Sequence, residues 1–312
     1  MTHEILFKVT APAYRRVLAQ TFTLVDYPPV GALPDPEMRQ RARVLVTTGY
    51  AGASREDMAA LPSLSLICCV GTGYENVDIA AARERGIVVA HGAGTNAGAV
   101  ADHAFALLLA VMRDIPRFDA SARRGDWRGE LGSRPIPTGK RLGIVGMGAI
   151  GERVARRAAA FDMAVSYHTR SARSDLPWRH VESALELADA VDCLVVAAPG
   201  GPQTRHMIDA AVLAALGPGG FLVNVGRGSI VDTRALVDAL GAGTISGAAL
   251  DVFEDEPSIP EDLRGMPNVV LTPHVAAFAP EVQRAAAVLL QRNVELFLSG
   301  QSVLTPVPEM RR

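Results

Sequence analysis

Three short segments late in the chain each place reactive side chains directly after an apolar run. "FLVNVGRGSIVD" carries Arg227, "GAALDVFEDEP" carries Asp251, Glu254, Asp255 and Glu256, and "VVLTPHVAAF" carries His274. A guanidinium grips a carboxylate through two charge-assisted bonds and polarises a carbonyl beside it. An imidazole oriented by a carboxylate gives or takes a proton near neutral pH. Singly, each residue also has an ordinary explanation: a surface ion pair for Arg227, a solvated turn for Glu256, a satisfied core histidine for His274.

A further segment supplies a reason to read them together. "KRLGIVGMGAIGERVARRAAAF" holds Gly146, Gly148 and Gly151 in G-x-G-x-x-G spacing, with an apolar strand leading in and an Ala-rich helix leading out. In that context Gly146 permits a tight turn, Gly148 lets backbone approach a pyrophosphate, and Gly151 packs helix on strand. Ala149 and Ile150 fall in the helix's first turn, where unpaired N–H groups and the positive dipole end face the phosphates. The segment therefore reads as a dinucleotide loop.

Roughly twenty residues further on, NAD sites commonly place an acid against the adenosine ribose. Here "VSYHTRSARS" offers Thr169, Arg170, Ser171 and Arg173 instead. Arginines and hydroxyls suit a ribose 2′-phosphate, so NADP(H) is expected in preference to NAD(H), with Asp175 as the competing ribose ligand. With a nicotinamide cofactor, the Arg, His and carboxylate set suffices to reduce a 2-keto acid to a 2-hydroxy acid.

The elements that must position these groups follow from patterning. Short apolar runs predict strands at 4–9, 43–48, 64–70 and 86–90, then at 142–146, 164–168, 192–197, 221–225, 246–250 and 268–272. Helices are predicted at 54–61, with Ser54 and Asp57 as a capping pair, and at 78–86, stopped by Gly86. A third, roughly 98–115, is apolar on most sides, and a last one spans 279–300, closing the second half or returning to the first. The stretch 123–140 reads as an irregular connector. Such alternation implies parallel sheets covered on both faces, with ligands beyond the carboxyl ends of the strands.

Composition agrees. The chain has 312 residues, enough for two domains, with 49% hydrophobic and 21% charged residues and a formal net charge of −2. Nothing in that balance recruits nucleic acid or an anionic membrane. "MTHEILFKVT" lacks a signal-peptide core, and "AFALLLAVM" (104–112) is too short to span a bilayer. Cys68, Cys69 and Cys193 lie in strand-like runs without metal-ligand spacing. A soluble cytoplasmic α/β protein without a metal is expected.

The chain closely resembles the D-isomer-specific 2-hydroxyacid dehydrogenase family, especially its NADPH-dependent glyoxylate/hydroxypyruvate reductase branch. The resemblance rests on "VGTGYENVDIAAARERGIVVAHGAGTNAGAVADHAFALLLA", "LGIVGMGAIG", "LVNVGRGSIVDTRALVDAL", "GAALDVFEDEP" and "LTPHVA", in that order. It implies two doubly wound, Rossmann-like parallel-sheet domains: a discontinuous, flavodoxin-like substrate domain (1–97 plus 281–312) and a dinucleotide-binding domain (98–280). Arg227 would hold the substrate carboxylate, His274 would be the general acid, and Glu256 would pair with it. Thr72 and Gly73 would complete the carboxylate cradle, and Asn96 would face the cleft. Asp251 would bond the nicotinamide carboxamide, with Pro199, Thr204, Val225, Gly226 and Ala276 along the cofactor. The helix near 98–115 would pack in a homodimer.

Some positions depart from the family pattern. Glu75 stands where Asp is frequent, and "VAAFAPE" follows His274 where Gly-Ser or Gly-Gly is common, so Phe278 bears on substrate size. Tyr50, in "TTGYAG", is expected to limit the pocket. The resemblance leaves two further readings: an NAD-dependent, phosphoglycerate-type dehydrogenase, and a dinucleotide-sensing corepressor. A formate dehydrogenase is disfavoured by Glu256.

Overall fold

Short, almost uninterrupted apolar runs form the strands of two all-parallel sheets, as burial on both faces demands. The structure, a computed structural model, describes residues 4–27, 36–128 and 132–310. It divides into two compact units: Met1–Asn96 with Phe278–Arg312, and Ala97–Ala277.

The first unit alternates β1 (Glu4–Phe7), α1 (Pro12–Leu18), β2 (Thr23–Asp26), α2 (Pro36–Arg41), β3 (Val44–Thr48), α3 (Arg55–Ala60), β4 (Leu66–Val70), α4 (Ile79–Glu84) and β5 (Val88–His91). Its strand order is β2-β1-β3-β4-β5, the flavodoxin-like winding. Side chains alternate across this sheet with period two. Ile5, Phe7, Val44, Val46, Leu66 and Cys68 pack on one face, while Leu6, Leu45, Ile67 and Cys69 pack on the other with Met58 and Ala81.

The second unit begins with α5 (Ala97–Arg113) and α6 (Ile115–Arg123), then runs β6 (Arg141–Val145), α7 (Ala149–Ala160), β7 (Ala164–His168), β8 (Arg179–His180), α8 (Ala184–Asp189) and β9 (Cys193–Val196). It continues through α9 (Ala210–Leu216), β10 (Phe221–Asn224), α10 (Thr233–Gly241), β11 (Gly247–Leu250), α11 (Glu261–Arg264) and β12 (Val269–Leu271). The order β12-β11-β10-β9-β6-β7-β8 reverses direction between β6 and β9, the switch point at which such sheets bind ligands. Helices α5 and α7 pack on one face, and α8, α9 and α10 on the other. The chain then returns to the first unit as α12 (Pro280–Leu298), whose Leu290 and Val294 pack beneath β1, β3 and β4. Of the two placements open for this helix, the structure selects the first half.

The expected strands occur within two residues of their observed bounds. Edge strand β2, short α1 and α2, and two-residue β8 escape a patterning argument, because none presents a long apolar period. The expected connector begins on the last residue of α6, and its residues 129–131 lie outside the described ones. Helix α5 is shielded along one side by the sheet and α7, burying Val100, Ala104, Leu107, Leu108 and Val111. Among the described residues, no helix is long and apolar enough to cross a membrane.

The capping pair on α3 forms in both directions: Asp57 N–H donates to Ser54 Oγ (3.2 Å), and Ser54 N–H to Asp57 Oδ2 (2.8 Å). Lys8 Nζ lies 2.6 Å from the same carboxylate, and the Tyr27 hydroxyl donates to it at 3.2 Å. Burial alone would raise the Asp57 carboxyl, but the bonds from Lys8 and Ser54 outweigh it and hold it below the ordinary range. Burial and that neighbouring charge push Tyr27 up to about 12. A carboxyl lowered by folding stabilises above its unfolded pKa, about 3.9, and loses that contribution as pH falls through the folded value. Asp57→Asn is therefore expected to destabilise the protein at neutral pH by about 1.5–3 kcal/mol. Urea titrations of both proteins should converge as pH drops below about 3.9.

Candidate active site

The dinucleotide loop leaves β6 at the switch point. Gly146 has a φ of +95°, and a Cβ there would lie 2.6 Å from Ala198 Cα, so only glycine makes this turn. A Cβ on Gly151 would meet the Gly146 carbonyl oxygen at 2.1 Å, which is the close packing of helix on turn. A Cβ on Gly148, by contrast, meets no protein atom within 4 Å. Gly148 is the N-cap of α7, followed by Ala149 and Ile150, and no side chain caps its N–H groups. This backbone suits the phosphates of a dinucleotide.

At the end of β7 the two arginines differ. Arg170 is exposed, and its Nη1 donates to Gln203 Oε1 (3.1 Å). Arg173 pairs with Asp175, donates to the Met147 carbonyl (3.0 Å) and lies 3.8 Å from Glu152, so it is folded over the glycine loop. Thr169 Oγ1 donates to the Ser171 carbonyl at 2.7 Å, which makes a tight local turn of the segment. Beyond β9, Thr204 Oγ1 donates to the Pro199 carbonyl at 2.9 Å.

Arg227 follows β10. Buried Asn224 sets the turn: its Oδ1 accepts from Gly226 N–H (3.0 Å) and its Nδ2 donates to the Arg227 carbonyl (3.0 Å). Val225 is buried, and a Cβ on Gly226 would lie 2.7 Å from the Ala198 carbonyl oxygen. The Arg227 side chain is half-buried and backed by Gly200, where a Cβ would stand 3.0 Å from its Cγ. Asn224, which braces the turn carrying Arg227, is absent from the sequence-based candidates, although a lone amide in the apolar run 221–225 is its signal.

Asp251, at the end of β11, is 1% exposed. Its carbonyl accepts the N–H of His274 (2.8 Å), Oδ1 that of Val275 (2.9 Å) and Oδ2 that of Ala276 (3.0 Å). Oδ1 also takes the Thr272 hydroxyl at 2.6 Å, and that hydroxyl meets His103 Nε2 at 2.9 Å. The segment after β12 is thus wrapped around one residue, and His274 is held at φ +52°, a region uncommon for non-glycine residues and found at functional sites. His274 Nδ1 lies 2.7 Å from Glu256 Oε2, and Glu256 Oε1 accepts from Phe253 N–H (3.0 Å). A carboxylate only accepts, so Nδ1 carries the proton of that bond, which leaves Nε2 as the acceptor nitrogen of the neutral ring.

The structure therefore brings Gly146, Gly148, Gly151, Thr169, Arg170, Pro199, Arg227, Asp251 and His274 to the carboxyl edge of one sheet. Tyr50, Thr72, Gly73 and Asn96 belong to the first unit, beyond its β3, β4 and β5. There Thr72 Oγ1 donates to Asn96 Oδ1 (3.0 Å), and Tyr50 is 79% exposed. Glu254, one of the candidate acids, pairs instead with His206 at 2.7 Å. Burial would raise its carboxyl, but bonds from His206 and Thr233 outweigh burial and keep it low.

The sequence model of the D-isomer specific 2-hydroxyacid dehydrogenase NAD-binding domain matches residues 105–276. The chain belongs to this family of oxidoreductases. It is 40% identical to the glyoxylate/hydroxypyruvate reductase A of Arabidopsis thaliana over 86% of each chain, and 43% identical to the hydroxyphenylpyruvate reductase of Plectranthus scutellarioides over 85% of each. An NADPH-dependent glyoxylate/hydroxypyruvate reductase from Sinorhizobium meliloti, solved with NADP and malonate, superposes with a TM-score of 0.92 at 38% identity, covering 100% of this chain and 99% of that one.

Asp251→Asn tests the wrap. An amide keeps one acceptor and turns a second donor against a backbone N–H. We expect a loss of about 1.5–3 kcal/mol, read from urea unfolding, together with reduced turnover.

Proposed function

We propose that the chain is an NADPH-dependent reductase of a small 2-keto acid such as glyoxylate or hydroxypyruvate, yielding the D-2-hydroxy acid. One observation carries the reading: the glycine loop, Arg227, Asp251 and the Glu256–His274 pair share the carboxyl edge of one sheet, in a chain whose relatives are named for this chemistry. Bound NADPH supplies the hydride. Gly146, Gly148, Ala149, Ile150 and Gly151 hold its pyrophosphate, with Pro199, Thr204, Val225, Gly226, Asp251 and Ala276 along the remainder. Arg227 holds the substrate carboxylate and polarises the keto group. His274 Nε2 gives a proton to the keto oxygen, and Glu256 keeps the imidazole in the tautomer and orientation for that transfer. Thr72, Gly73 and Tyr50 are assigned to substrate, and the oligomer is a homodimer.

The cofactor preference rests on Arg170. Arg173 and Asp175 neutralise one another in a pair, so Asp175 is a poor ribose acid, and Thr169 and Ser171 add hydroxyls beside Arg170. Ser171 is exposed at the turn.

Purified protein assayed with glyoxylate and hydroxypyruvate should turn over faster with NADPH than with NADH. Tight dinucleotide binding without turnover of either would overturn the reading in favour of a sensor. Arg170→Asp is expected to shift the NADPH/NADH preference by about 10–100-fold towards NADH, the worth of one charge-assisted contact. His274→Ala should abolish most turnover while NADPH affinity, followed by cofactor fluorescence, is retained; a parallel loss of both would remove His274 from the acid role.

A further inference from the structure

Beyond the groups assigned to the reaction, a second histidine–carboxylate pair lies behind them. After β9 the chain passes Thr204 and reaches His206, whose φ of +50° again falls in the left-handed region. Its N–H donates to the Ser229 carbonyl at 2.8 Å, two residues past Arg227. Its Nε2 lies 2.7 Å from Glu254 Oε1, two residues before Glu256. The carboxylate accepts, so Nε2 carries the proton. The other ring nitrogen faces Asp232 Oδ2 at 3.8 Å.

The surroundings leave these two turns little freedom. A Cβ on Gly228 would sit 1.9 Å from the Phe253 carbonyl carbon, so the turn carrying Arg227 and the turn leading to Glu256 touch backbone to backbone. Ile208 N–H donates to the Ile230 carbonyl (2.9 Å), and Asp232 N–H returns to Ile208 (3.0 Å), which ties the 204–208 segment along 229–232. Thr233 Oγ1 donates to the far oxygen of Glu254 at 3.1 Å. Arg205 also reaches Glu254 at 3.1 Å, but with its side chain 60% exposed that pair is screened by solvent and contributes little.

We infer that His206 is a positioning residue: bonded to Ser229 through its backbone and to Glu254 through its ring, it sets the separation between Arg227 and the Glu256–His274 pair. Three loops, from the ends of β9, β10 and β11, meet at this residue. The inference rests on the proposed reduction, in which Arg227 fixes the substrate and His274 must then reach its keto oxygen. Small displacements between such groups are costly, about 100-fold for roughly 1 Å. Glu254 is the more sheltered partner, and with one oxygen on His206 and the other on Thr233 its carboxylate is held at both ends.

The test uses the full chain with four variants: His206→Asn, which tolerates positive φ but is too short to reach Glu254, Glu254→Ala, their double, and Glu254→Gln, whose amide oxygen still accepts from His206. We expect kcat for glyoxylate with NADPH to fall about 10–100-fold in the first two, with NADPH affinity within about twofold of wild type. The double should be no worse than the more severe single, because one bond is broken twice. Glu254→Gln should recover most of the rate. Hydrogen exchange in peptides covering 226–231 and 253–257 should quicken together in both singles. Unchanged kcat, additive losses, a Glu254→Gln enzyme no better than Glu254→Ala, or faster exchange in only one of the two peptides would each overturn the inference. Wild-type protein inert towards 2-keto acids would instead sink the functional reading, and the exchange experiment would still decide whether His206 couples the turns.

Discussion

Burying a carboxylate is costly unless its lone pairs are filled, and Asp251 is 1% exposed. The cost is met by the backbone N–H groups of Val275 and Ala276 and the hydroxyl of Thr272, while the Asp251 carbonyl takes the N–H of His274. Three successive amides thus converge on one residue from the next strand. That convergence makes a left-handed histidine tolerable, and the histidine's ring is then aimed by Glu256. Satisfaction of one buried carboxylate and placement of the His274 backbone are the same interaction.

The sheets explain why the remaining groups are where they are. Parallel strands send every carboxyl end to one edge, and the order reverses between β6 and β9. The glycine loop leaves from one side of that reversal and the Arg227, Asp251 and His274 turns from the other. Glycines at 146, 151, 226 and 228 let the turns approach to distances at which any Cβ would collide with backbone. The edge is consequently dense, and the few long side chains it carries have defined supports: Gly200 and Asn224 for Arg227, Gln203 for Arg170.

Much of this was legible in the chain. Continuous Val/Ile/Leu runs with Gly and Pro between them announce parallel strands, and G-x-G-x-x-G between a strand and an Ala-rich helix announces the loop. Arg227, Glu256 and His274 stand out because charged groups follow apolar runs. Less legible were features that depend on residues distant in sequence. His206 meets Glu254 across 48 positions, and His103 meets Thr272 across 169, so neither histidine had a local signal. The distinction between Arg170 and Arg173 was equally hidden, since it turns on which side chain folds back onto Asp175 and the Met147 carbonyl. Edge strand β2, with both faces only partly covered, lacks the apolar continuity that revealed its neighbours.

Helix α12 has a consequence for the order of assembly. The second unit is one uninterrupted stretch, Ala97–Ala277, whereas the first needs Phe278–Arg312 to finish its core. During synthesis, β1 to β5 emerge well before Leu290 and Val294, the side chains that cover Ile5, Val44, Val46 and Leu66. One face of that sheet must therefore wait, apolar and only partly covered by Leu18 and Phe22, while the second unit can fold as it leaves the ribosome. The half of the molecule encoded first is the half completed last.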